Sequence, residues 1–191
     1  RGAGQVLLFL GWNGGVPGAL AGQLGSREAF SGWLSRLVAI LQEEGYAYDQ
    51  WALYPLDEPA GAQFADLERI TEWVKAERPS VRIYANPGAV SRADLAPGAP
   101  LGRILDKVEL WQPLLGEPAD RLGPVLARRA GPAWWIYQVG RSPAKAIVPQ
   151  CYRKLAWEAE RRGAGCFGFW SFSDTGGSRA WDDLDGRRPD W

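Results

Sequence analysis

The chain has 191 residues, 46% of them hydrophobic, which suffices for a sizeable core and excludes low-complexity disorder. Lys plus Arg number 22 and Asp plus Glu number 22, with no long basic stripe, so neither nucleic acid nor an anionic membrane has electrostatic support as a partner. Histidine is absent, which removes Ser-His-Asp and Cys-His catalysis and every His-based zinc site, leaves hydrolytic chemistry to carboxylates, and points to no cofactor or metal.

The elements alternate short β-rich runs with amphipathic helical stretches, a pattern that predicts a parallel sheet. Gln5 to Trp12 reads as the first strand, and the Gly-rich stretch after it, lacking GxGxxG spacing or a GK[ST] ending, as an ordinary loop. A helix follows from about Arg27 to Glu44, with Ser26 as N-cap and Phe30, Trp33, Leu34, Leu37, Val38 and Leu41 on one face. The second strand runs from Trp51 to the acid pair Asp57-Glu58, and the next helix carries Phe64, Leu67, Ile70 and Val74 and stops at Pro79. Val81–Ala85, Val108–Trp111, Ala133–Gln138 and Gly165–Phe172 are the later strands, with helices near Ala119–Arg129 and Pro149–Arg162 between them. Trp73 and Trp157 fall in helical patterns and read as core. Cys151 and Cys166 start a helix and the strand after it, at opposite ends of an α/β layer, so no disulfide is expected between them.

Nearly every strand exit carries a polar or aromatic residue, the arrangement of a TIM-type (β/α)8 barrel, whose chemistry gathers at the C-terminal mouth. Such a barrel usually has eight strands in about 250 residues. The chain is therefore expected to be one partial barrel over 1–191, holding about six strands, the third to the eighth. It contains no methionine, opens almost directly on an apolar run, and reads as a piece of a longer protein. No apolar run approaches the roughly 18 to 20 residues of a membrane span, and no signal segment is visible.

Asp57-Glu58-Pro59 stands at the end of its strand. The residue before a proline is pushed toward extended geometry, so Glu58 is expected at the strand's rim, where a proton donor would sit. Adjacent carboxylates raise each other's proton affinity, one way to keep an acid protonated near neutrality. Most glycosidases need a second carboxylate across the scissile bond. The run Trp134-Trp-Ile-Tyr-Gln-Val-Gly ends without an acid, and Glu109 begins its strand and should lie at the wrong end. One solution is a nucleophile supplied by the substrate's own 2-acetamido carbonyl, with Glu58 as acid and base and Asp57 accepting the acetamido N–H. Both acids reach one cleft only if the strand bends at its exit, because neighbours on a regular strand face opposite ways. Trp12, Asn13, Asn86, Trp111, Gln112, Tyr137, Gln138, Trp170 and Asp174 are the expected substrate contacts around the mouth.

Tyr54-Pro-Leu-Asp-Glu-Pro, Trp111-Gln-Pro, Trp135-Ile-Tyr-Gln and Gly165-Cys-Phe-Gly-Phe-Trp-Ser-Phe-Ser-Asp together resemble the catalytic domain of glycoside hydrolase family 123, over most of the chain after about residue 45. The resemblance implies a β-N-acetylgalactosaminidase working by substrate assistance through the Asp-Glu pair, with a carbohydrate substrate and a secreted or periplasmic setting. The chain departs from those relatives in stopping before the helix expected after its last strand. Two other readings stay open: a glycosidase of different specificity whose second carboxylate lies in preceding sequence, and a non-catalytic carbohydrate-binding barrel.

Overall fold

The computed structural model describes residues 6–10, 12–13, 16–17, 26–129, 133–139 and 153–170. Its strands are β1 (Val6–Phe9), β2 (Trp12–Asn13), β3 (Val16–Pro17), β4 (Trp51–Tyr54), β5 (Tyr84–Ala85), β6 (Leu110–Trp111), β7 (Ala133–Val139) and β8 (Cys166–Trp170). Its helices are α1 (Arg27–Glu43), α2 (Gln63–Glu77), α3 (Pro100–Ile104), α4 (Glu117–Leu126) and α5 (Lys154–Arg162), with a 3₁₀ turn at Tyr48–Gln50. Parallel pairing joins β1 to β4 and runs on through β5, β6, β7 and β8, and a single parallel bridge, Leu53 to Ile83, links β4 to β5. Six parallel strands thus lie side by side in chain order, each joined to the next by a helical crossover, as parallel pairing requires. The protein is a mixed α/β fold built on parallel strands.

Local sequence accounts for the helices. Ser26 accepts the Ala29 N–H at 3.1 Å and caps α1, whose buried stripe Phe30, Leu34, Val38 repeats every four residues. In α2 the stripe is Phe64, Leu67, Ile70, Thr71 and Val74, and the helix ends at Glu77 because Arg78 precedes Pro79. Each fully buried Phe, Leu or Ile of these stripes contributes roughly 1.5–3 kcal/mol. Gly163, with φ of 70°, closes α5 in the left-handed conformation that glycine adopts without strain.

The pleat sorts the strand residues onto two faces. Leu53, Ile83, Ala85, Trp111, Trp134 and Ile136 join buried residues from the five described helices in one core. Ala52, Tyr84 and Leu110, with Tyr54 and Trp135 packed against them, form a second cluster that contains no helical residue. Helices therefore cover one face, while on the other Ala52, Tyr84 and Leu110 stay at most 4% exposed. There, side chains of neighbouring strands cover one another, as the Tyr54 and Tyr84 rings do with centroids 4.7 Å apart.

Several expectations need correction. The first strand ends at Phe9, and Trp12–Asn13 does not extend it but pairs antiparallel with Val16–Pro17, so the stretch read as plain loop contains a small ribbon. The third and fourth strands shrink to two residues each, and just before them the Glu109 carboxylate accepts the Ile83 N–H at 2.9 Å. Helix α3 has no counterpart among the expected elements. Trp157 is 73% exposed, not core: Leu155 and Ala159 take the buried stripe of α5, and a residue two positions from either points away from it. Trp73 is half-buried against Phe30. Cys166 is a free, exposed thiol, and Cys151 lies outside the described residues. Among the described residues no helix is long and apolar enough to cross a membrane, and no cluster of acids and cysteines could hold a metal ion.

Candidate active site

Counting by two along the strands on the face opposite the described helices leads to the acid pair. Ala52 and Tyr54 on β4, Tyr84 and Asn86 from β5, Leu110 and Gln112 from β6, and Trp135 and Tyr137 on β7 share that face. Past the C-terminal end of β4 the chain bends at Asp57 and Glu58, and both acids are exposed over this row.

The bend brings both acids to one place. Asp57 Oδ1 accepts two hydrogen bonds, one from the Tyr54 hydroxyl and one from Asn86 Nδ2 at 3.0 Å. Glu58 Oε1 accepts from the Tyr137 hydroxyl at 2.6 Å, and its backbone N–H donates to Asn86 Oδ1 at 3.2 Å. Among the described residues no hydrogen bond reaches Asp57 Oδ2 or Glu58 Oε2. Among the described residues, then, each carboxyl has one oxygen held and the other without a partner.

Glu58 corrects an expectation. It has φ of +44°, left-handed rather than extended, the one described non-glycine residue with positive φ. Such a conformation costs about 1–3 kcal/mol and persists where surrounding contacts over-determine it. Here those contacts are Asn86 on the backbone and Tyr137 on the side chain, which outweigh the preference set by Pro59. Gly88 packs against the same residue: a Cβ there would lie 3.1 Å from Glu58 Cβ and 3.6 Å from Oε2.

A second layer braces the first. The Tyr84 hydroxyl donates to Gln112 Oε1 at 2.6 Å, and Gln112 Nε2 donates to the Ile136 carbonyl at 3.3 Å, tying β5, β6 and β7 together. The rings of Tyr54 and Tyr84 meet edge to face with centroids 4.7 Å apart. Burial first, and then the hydrogen bond to Asp57, raises the pKa of Tyr54; burial and the bond to Glu58 do the same for Tyr137, and burial with the Asp57 charge for Tyr84. All three phenols therefore remain donors at neutral pH.

This has a measurable alkaline consequence. Unfolding would return these phenols to about pH 10, so their contribution to stability is complete below that pH and is lost as pH rises through their higher folded values. In an ultraviolet titration of the folded protein, three of the six tyrosines should resist ionisation above pH 10 and then ionise together with loss of structure. Smooth, reversible ionisation of all six near pH 10 in folded protein would contradict the network.

Of the expected contacts, Asn86 and Tyr137 join the acids, and Gln112 lies in the layer beneath with its carbonyl oxygen and one N–H engaged. Trp111 does not: it is 0% exposed in the helix-covered core, because the pleat turns it away from Leu110 and Gln112. Gln138 alternates with Tyr137 and falls on the face of Trp134 and Ile136. Trp170 pairs in register with Val139, and Trp12 and Asn13 lie in β2, but their side chains are outside the described set, as is Asp174 entirely. Glu109 sits at the opposite end of β6, bonded to Lys75 and the Ile83 N–H. Sequence reasoning missed Tyr54 and Tyr84, although stepping back two residues from Asn86 reaches Tyr84.

No protein-family model and no curated protein sequence matches the chain. Among solved structures, the homocysteine methyltransferase MmuM from Escherichia coli in its apo form is similar at 18% identity and a TM-score of 0.46. The match covers 96% of this chain and 63% of that protein.

Proposed function

We propose that the chain forms strands three to eight of a TIM-type (β/α)8 barrel and hydrolyses β-linked N-acetylhexosaminides, N-acetylgalactosaminides in preference, by substrate assistance. The observation that carries the proposal is the pair of adjacent acids over one sheet face, each with one oxygen held by a tyrosine and the other unbonded among the described residues. The barrel reading is supported by six parallel strands in chain order with the described helices packed on one face; a doubly wound sheet reverses its strand order and covers both faces.

In the first step Glu58 gives a proton to the leaving glycosidic oxygen. The 2-acetamido carbonyl oxygen attacks the anomeric carbon as that bond breaks, producing a cationic cyclic intermediate. Asp57 Oδ2 accepts the acetamido N–H and stabilises the positive charge. In the second step Glu58, now ionised, takes a proton from water as its oxygen reopens the ring, so the anomeric configuration is retained. No second carboxylate is needed across the site.

The test compares two aryl glycosides in the full-length protein. An aryl β-N-acetylgalactosaminide should be cleaved and the matching β-galactoside, which has no acetamido group, should not. A thiazoline resembling the cyclic intermediate should inhibit more strongly than N-acetylgalactosamine, as intermediate-like ligands do. Equal rates on both glycosides without thiazoline inhibition would shift the reading to a carboxylate from preceding strands. Binding of sugar without cleavage would leave a carbohydrate-binding barrel.

A further inference from the structure

We infer that Asn86 is a positioning residue that grips both acids with one amide and holds Glu58 in its left-handed conformation, rather than a contact to substrate. Its side chain leaves β5 on the site's face and is buried, 5% exposed. Nδ2 donates to Asp57 Oδ1 at 3.0 Å and Oδ1 accepts from the Glu58 N–H at 3.2 Å. Chemistry sets the orientation of the amide: a carboxylate needs the NH₂ end and a backbone N–H needs the carbonyl end. Its carbonyl and one N–H are thereby engaged within the protein.

Two neighbouring acids on a strand would point to opposite faces, and Glu58, preceding a proline, would favour extended geometry. The Asn86 carbonyl opposes that preference at the Glu58 backbone, while the amide nitrogen ties Asp57 to the same point. Without it, Glu58 should relax toward negative φ and swing away from Tyr137. Its open oxygen would then no longer meet the leaving group. The kinetic part of this inference rests on the glycosidase reading; the structural part does not.

Two variants separate the halves of the grip. Asn86→Asp keeps an oxygen for the Glu58 N–H but cannot, when ionised, donate to Asp57; Asn86→Ala loses both bonds. Amide hydrogen exchange followed by NMR should show the Glu58 N–H exchanging at least about 10-fold faster in Asn86→Ala and near its original rate in Asn86→Asp. The Leu53 N–H, bonded to the Arg82 carbonyl at 2.9 Å, reports that the sheet is intact. Should Asn86→Ala lose that protection too, Asn86→Ser, whose hydroxyl cannot span both partners, takes its place. In the full-length protein both variants should lower kcat about 10- to 100-fold with little change in KM, as misplaced catalytic groups do. Asn86→Ala alone should lose more on poor leaving groups than on activated phenols, because its proton donor has moved. Unchanged Glu58 exchange in Asn86→Ala would overturn the inference, and so would a loss equal across leaving groups. A parent protein that cleaves no glycoside would defeat the functional reading while the exchange result still decides the grip.

Discussion

Glu58→Gln is expected to slow hydrolysis of an unactivated β-N-acetylgalactosaminide by about 100- to 10,000-fold, the range for losing general acid–base help. The substitution is nearly isosteric. A glutamine carbonyl can still accept from the Tyr137 hydroxyl that holds Glu58 Oε1 at 2.6 Å, so the side chain keeps its place and loses only its transferable proton. A nitrophenyl leaving group departs without protonation, and with that substrate the first step should recover much of its rate. Steady-state rates on a series of aryl glycosides read this directly. Near-normal turnover of the unactivated substrate would remove Glu58 from the mechanism.

Asp57→Asn should lower kcat by about 100- to 1,000-fold, the scale of removing one preorganised electrostatic group from a site where charge develops. The Asn carbonyl can still accept from Tyr54 and from Asn86, so the hydrogen bonds that orient Asp57 can persist while its charge disappears. The deficit should differ in kind from that of Glu58→Gln. Because Asp57 acts on the acetamido group and the cyclic cation, an activated leaving group should not restore the rate. Thiazoline affinity should fall in parallel, because the inhibitor mimics the species that Asp57 stabilises. Equal recovery of both variants on activated substrates would remove the division of roles between the two acids.

Much of the fold was legible because it depends on spacing along the chain. The Phe30, Leu34, Val38 stripe, the Ser26 cap and the stop before Pro79 each involve residues within a turn or two of one another, and α1 and α2 lie close to their expected limits. Strand order followed from the alternation of strand and helix. The short strands were less legible: the Ile83 N–H goes to the Glu109 side chain, 26 residues away, a contact that no local pattern announces. Trp111 and Gln138 do not face the acids, because nearness to a strand exit does not decide which face of the sheet a residue takes. Period-two counting from Leu110 and from Tyr137 assigns both to the helix side.

Sequence alone determined the chemical vocabulary: no histidine, an Asp-Glu-Pro turn after an apolar strand, and polar residues at successive strand exits. Tertiary structure decided how those residues are used. Asn86 lies 28 residues from Glu58 and Tyr137 lies 79 from it, so no local pattern announces that these side chains hold the acids. The local preference at Glu58, set by the following proline, favours extended geometry. The observed φ of +44° is its opposite, held by hydrogen bonds from strands that only folding brings alongside. Local propensity amounts to a kilocalorie or two per residue, and a site can override it wherever several buried contacts converge on one backbone position.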